Sequence, residues 1–128
     1  MTRSSLLPAS SDMGAVTLWV ADLDKMIRYY RDAVGLELFS EVNGRATLGQ
    51  GVTAIVILES KPGMKHASPG EAGLFHIAIL FPTQSALAKA VASVARQHPG
   101  TFTGSADHLV SKAFYFNDPE GNGVETLS

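Results

Sequence analysis

Cysteine is absent from the 128-residue chain, so neither a disulfide nor a thiolate can hold the fold or carry chemistry. An excess of one charge is also missing: ten Lys and Arg stand against twelve Asp and Glu, a formal net charge of −2. Without a basic stripe nothing neutralises a phosphate backbone, which excludes a nucleic-acid partner. No apolar run approaches the roughly 20 residues of a membrane-spanning helix, and no membrane partner is expected. Residues 1–12, MTRSSLLPASSD, hold two consecutive leucines, too few for the core of a signal peptide. A cytoplasmic protein with a flexible N-terminal arm over residues 1–12 is the expectation. Aromatics are scarce at 8%, with a single tryptophan, yet 45% of the chain is hydrophobic. That composition supports one real core, and the length suits a single domain over residues 13–128.

What the chain does have is a repeat. GAVTLWVADLDKMIRYY (14–30) lies over FHIAILFPTQSALAKAV (75–91) without a gap, at an offset of 61 residues. Each copy opens with a short apolar run: Val16, Leu18 and Val20 against Ile77, Ile79 and Phe81. Each then has a helix N-cap, Asp22 against Thr83, whose side-chain oxygen can take a free backbone N–H. A helical stripe follows, Met26, Ile27, Tyr30 and Val34 against Leu87, Ala88, Val91 and Ala95. Gly35 ends the first helix, and Pro99-Gly100 ends the second.

Three strand-like segments follow each helix. The first set is 36–42, 45–48 and 52–58, with turns at Asn43-Gly44 and Gly49-Gln50-Gly51. The second set is 101–106, 111–116 and 123–127, with a longer turn over Asp118–Gly123. Two βαβββ units, 13–60 and 73–128, are thus joined by the loop KPGMKHASPGEA (61–72). Neither can bury its sheet alone. An α+β fold is expected, a cupped eight-stranded mixed sheet with two outer helices, with a ligand held inside the cup.

The run GLFHIAIL (73–80) reads as a buried strand, yet it carries His76. Alternation puts His76, Ala78 and Leu80 on one face. In the last strand it groups Gly123, Glu125 and Leu127. Two readings of this pair are open. Either His76 is a satisfied core histidine and Glu125 has an Arg or amide partner, or the two hold a divalent metal. Other polar residues read more simply. Lys25, Arg28 and Arg31 form a solvated stripe, His66 and His98 are expected in solvent, and Glu59 ends a strand as a solvated carboxylate or a stand-in ligand. His108 is either a turn residue or a proton carrier reaching the cup. Trp19, Phe114 and Tyr115 pack in the core or line a pocket for a planar ligand.

ADLDKMIRYYRDAVGLEL (21–38) and DHLVSKAFYFNDPEGNGVE (107–125) resemble the vicinal-oxygen-chelate superfamily of glyoxalases, fosfomycin- and bleomycin-resistance proteins and extradiol dioxygenases. With GLFHIAILFP, they look most like the N-terminal domain of two-domain catechol-2,3-dioxygenase-like proteins. The resemblance covers residues 13–127. It implies metal ligands at positions 15, 76 and 125, where this chain has Ala15, His76 and Glu125. Two of the three can bind metal. The implied metal is Fe(II), Mn(II), Ni(II) or Zn(II), with Glu125 and His108 as the catalytic candidates of a dioxygenase or lyase. The alternative, favoured by Ala15, is a metal-free module that sequesters a hydrophobic or aromatic compound. A structural partner of a separate catalytic protein is a third. A homodimer covering the open cup is expected.

Overall fold

Two local signals start the helices where they start. Asp22 accepts a hydrogen bond from Lys25 N at 3.1 Å, and Thr83 Oγ1 accepts one from Ala86 N at 3.0 Å. Both satisfy backbone donors that lack a partner in the first turn. The computed structural model describes residues 15–61, 76–107 and 112–128. The first unit runs β1 (Val16–Val20), α1 (Leu23–Arg28, continued as a π-helix over Tyr29–Ala33), β2 (Glu37–Val42), β3 (Arg45–Gln50) and β4 (Thr53–Ser60). The second runs β5 (His76–Leu80), α2 (Gln84–Gln97), β6 (Phe102–Asp107), β7 (Lys112–Asn117) and β8 (Gly123–Leu127).

The eight strands form two four-stranded mixed sheets, ordered β1-β4-β3-β2 and β5-β8-β7-β6. Each first strand pairs in parallel with the last strand of its unit; the other pairs are antiparallel. The chain must cross over before a parallel partner can form, and the helix is part of that crossover. Asn43 and Gly44, with φ of 53° and 77°, make the two-residue hairpin that joins β2 to β3. β3 runs through Gln50, so its turn falls at Gly51-Val52, later than the glycine pattern suggests.

Burial divides each sheet cleanly. Leu18 and Val20 with Val56 and Leu58 face the helix side of the first sheet, and Ile77 and Ile79 with Val124 do so in the second. One hydrophobic core runs through both helix-side faces. The halves are also stitched across it. Tyr30 Oη donates to Asp118 Oδ2 at 2.7 Å, Gln97 Nε2 donates to the Asp32 carbonyl at 3.1 Å, and Tyr29 stacks edge-on against His98. His98 caps α2 and is half-buried, not solvated as the sequence suggests, because the Tyr29 ring covers it.

The stripe of α2 also departs from the gapless repeat. Leu87, Ala90 and Val94 are buried, while Ala88 and Ala95 are exposed. For Ala95 the cause lies in the other helix, whereas Ala88 is the mate of the buried Ile27, which precedes the irregularity, and is not accounted for by it. At Tyr29–Ala33 the first helix widens, with Val34 N donating to Tyr29 O at 3.0 Å and Leu36 N to Tyr30 O at 2.9 Å. A π turn holds one extra residue. Beyond it the offset between the halves falls from 61 to 60, so Tyr30 matches Ala90 and Val34 matches Val94.

Candidate functional site

The face of each sheet turned away from the helices carries the residues that differ most between halves. In the second sheet, β8 sets Glu125 between Ala78 of β5 and Tyr115 of β7. Tyr115 Oη donates to Glu125 Oε2 at 3.2 Å. Burial first, then the Glu125 charge and this hydrogen bond, push the Tyr115 hydroxyl above the usual tyrosine range. A half-buried carboxylate thus has a phenol beside it on a mostly apolar strand pair. His76 opens β5 opposite Gly123, two residues before Ala78. Its backbone is therefore in the register of Ala78 and Leu80, about 7 Å along the strand from the residue that pairs with Glu125.

Register defines the same positions in the first sheet. Thr17 pairs with Ile57 as Ala78 pairs with Glu125, so Ile57 occupies the position of Glu125 and Ala15 that of His76. A methyl and a sec-butyl group stand where the second half has an imidazole and a carboxylate. Neither binds a cation. Among the described residues no three His, Cys, Asp or Glu come together as a metal cluster. His76 and Glu125 hold same-face positions on adjacent strands, two residues out of direct register.

Glu59 lies on this face of β4, two residues after Ile57, and forms an ion pair with its cross-strand neighbour Arg45. Trp19, also on this face, is 59% exposed, and the Lys61 ammonium sits 5.1 Å above its ring. Leu80, the repeat mate of Trp19, is 62% exposed. Phe114 turns to the helix side instead and packs on the core, because it pairs with the buried Thr126. Lys25, Arg28 and Arg31 are exposed as expected. His66 and His108 lie outside the described residues.

Two features escape a reading of the strands alone. Tyr115 is the partner of Glu125, which cross-strand register reveals and spacing does not. Asp118, in the turn before β8, is buried and takes hydrogen bonds from Tyr30 Oη, Asn122 N (2.8 Å) and Glu120 N (3.0 Å). Glu120 in the same turn accepts from Ala21 N and Asp22 N, at the end of β1. The DPEGN turn is therefore a clamp between halves, signalled by the acidic and Asn residues that favour such turns. Burial raises the Asp118 carboxyl above its usual range, against the opposing effect of these hydrogen bonds.

Comparison with known proteins places this architecture. Residues 13–126 match the model of the Glyoxalase/Bleomycin resistance protein/Dioxygenase superfamily. A catechol-2,3-dioxygenase of Bacillus subtilis (strain 168) is 31% identical over 115 residues, covering 88% of this chain and 40% of that protein. The chain thus spans well under half the length of this relative. A glyoxalase/dioxygenase from Nostoc punctiforme superposes with a TM-score of 0.75 at 18% identity, covering 98% of this chain and 97% of that one. A bleomycin resistance determinant encoded on the transposon Tn5 superposes with a TM-score of 0.67 at 15% identity, covering 91% and 97%. The two superpositions establish a shared fold. No helix among the described residues is long and apolar enough to cross a membrane.

Proposed function

The chain belongs to the glyoxalase/bleomycin resistance protein/dioxygenase superfamily, and from that premise we propose that its open sheet face binds a small organic molecule. Superfamily members bind small molecules and are often metal-dependent and dimeric. One observation carries the reading: a half-buried Glu125 with a Tyr115 hydroxyl beside it on an apolar face, matched in the other half by Ile57. Such a carboxylate accepts a hydroxyl, amide or cationic group, while the strands around it take an apolar or planar body. The module acts by holding its ligand, and Glu125 is the orienting group. Trp19 is the sole tryptophan and lies on the first sheet's open face, so its fluorescence is a direct probe. Titration with phenols, catechols and aryl amines should quench it saturably. Glu125→Gln should weaken binding by about tenfold, the loss of one charge-assisted hydrogen bond. An unchanged affinity in that variant would remove Glu125 from the site.

A metal-assisted dioxygenase or lyase is the second reading, favoured by His76 and Glu125 holding same-face positions on adjacent strands, two residues out of direct register. His76 and Glu125 would hold Fe(II), Mn(II), Ni(II) or Zn(II), which supplies Lewis acidity; His108 is the proposed proton carrier. With two ligands the affinity should be weak and should fall in acid, since imidazole ligates only when deprotonated. Calorimetric titration decides: no heat at millimolar metal leaves the binding module. A homodimer is part of either reading, because Trp19 and Leu80 leave apolar surface on the open face. Light scattering that gives a monomer at micromolar concentration counts against it.

A further inference from the structure

A cavity lies where the two halves meet, away from Glu125, with the exposed Leu80 at its rim. Its volume is about 690 Å³, inside the roughly 300–1,000 Å³ range of small-molecule pockets. Its floor is the surface of the shared core, Val34, Phe81 and Ala90, all buried residues. One wall is the end of the first helix and the other is α2, so both halves build it. The walls are fixed to each other by the hydrogen bond from Gln97 Nε2 to the Asp32 carbonyl.

The charges on the rim are not balanced. The Asp32 carboxylate is held by Arg31, at 2.9 Å and 3.3 Å, so that acid is already neutralised. Lys89, on the α2 wall, makes no ion pair or hydrogen bond with any described residue. The Lys89 ammonium, uncommitted to any described residue, therefore lines a cavity with an apolar floor. We propose that this groove is a second ligand site, selective for a small amphipathic carboxylate whose chain or ring covers Val34, Phe81 and Ala90 and whose anionic end meets Lys89. The apolar floor rejects a fully hydrated anion, and the ammonium selects the charged form over a neutral amphiphile of the same shape.

The site does not depend on the function of the open face, and its test keeps the two apart. The isotope-labelled protein is titrated with decanoate and, separately, with decanol, following amide resonances. Decanoate should bind saturably at or below millimolar concentration and shift Gly35, Lys89 and Ser93. Decanol should bind at least about tenfold more weakly, and Lys89→Glu and Lys89→Met should each weaken decanoate by about tenfold or more. Glu125→Gln should leave decanoate binding unchanged. Equal affinity for the two amphiphiles, an unchanged affinity in both Lys89 variants, or shifts centred on Ala78, Tyr115 and Glu125 would each overturn the proposal. So would loss of decanoate binding on dimerisation, which would make the groove a contact between copies.

Discussion

On the helix side the two halves are near copies: Leu18 and Ile79 are repeat mates, both fully buried, and Val34 and Val94 are mates once the π turn is counted. On the open side they have parted. Trp19 answers Leu80, Ala15 answers His76, and Ile57 answers Glu125. The two faces answer to different constraints. A core face must fill the same space with the same period in both halves, so its residue types stay close. An open face has no such demand, and polar groups are free to gather in one half. The proposed site therefore rests on the asymmetry of the second sheet, not on the symmetry of the core.

The strongest way to test that contrast is to truncate mates. Leu18→Ala and Ile79→Ala should each cost ~2–5 kcal/mol of stability in urea unfolding, since each empties a closed core position. In the monomer the open-face mates Trp19→Ala and Leu80→Ala should shift stability by about 0.5 kcal/mol or less. A large loss at Trp19 or Leu80 would mean that their face is covered.

A smaller effect is expected at the stitch between the halves. Tyr30→Phe leaves the buried Asp118 carboxylate short of a donor and should cost ~1–3 kcal/mol. Ala90, the mate of Tyr30, has no hydroxyl to lose, so this bond is a one-sided device. No change in unfolding midpoint would put the Tyr30 hydroxyl in solvent.

The vacancy at Ala15 can be filled. Ala15→His should raise divalent-metal affinity by about tenfold, ~1.4 kcal/mol, by adding a third ligand to His76 and Glu125. His76→Ala in the same background should abolish the gain. Unchanged calorimetric affinity in a folded Ala15→His protein would separate position 15 from the site and break the matching of the halves.

The subtlest expected effect is a pH dependence. Burial holds the Asp118 carboxyl above its ordinary value. A group raised in the folded state contributes fully below its unfolded pKa, ~3.9, and loses that contribution as pH rises through the folded value. Wild type should therefore gain stability relative to Asp118→Asn as pH falls through that window. Unfolding midpoints that diverge in the opposite direction would mean that the hydrogen bonds from Tyr30, Asn122 and Glu120 outweigh burial.

The sequence alone determined the two units, their order of elements, both N-caps and the core face of the first helix, but not that of α2. Those rest on local signals: strand alternation, helical period, and capping oxygens three residues from their donors. It also singled out Glu125 and the odd position of Ala15. Tertiary structure decided what those signals cannot reach. Whether Glu125 meets Tyr115 depends on β7–β8 register, and whether Ile57 answers it depends on β1–β4 register. The slip of the α2 stripe at Ala95 came from a π turn 60 residues away in the other helix. The Tyr30–Asp118 bond joins residues 88 apart, and the Lys89 groove exists only where the halves meet. Period and composition act over a turn or a strand, whereas a partner distant in the chain is chosen by packing.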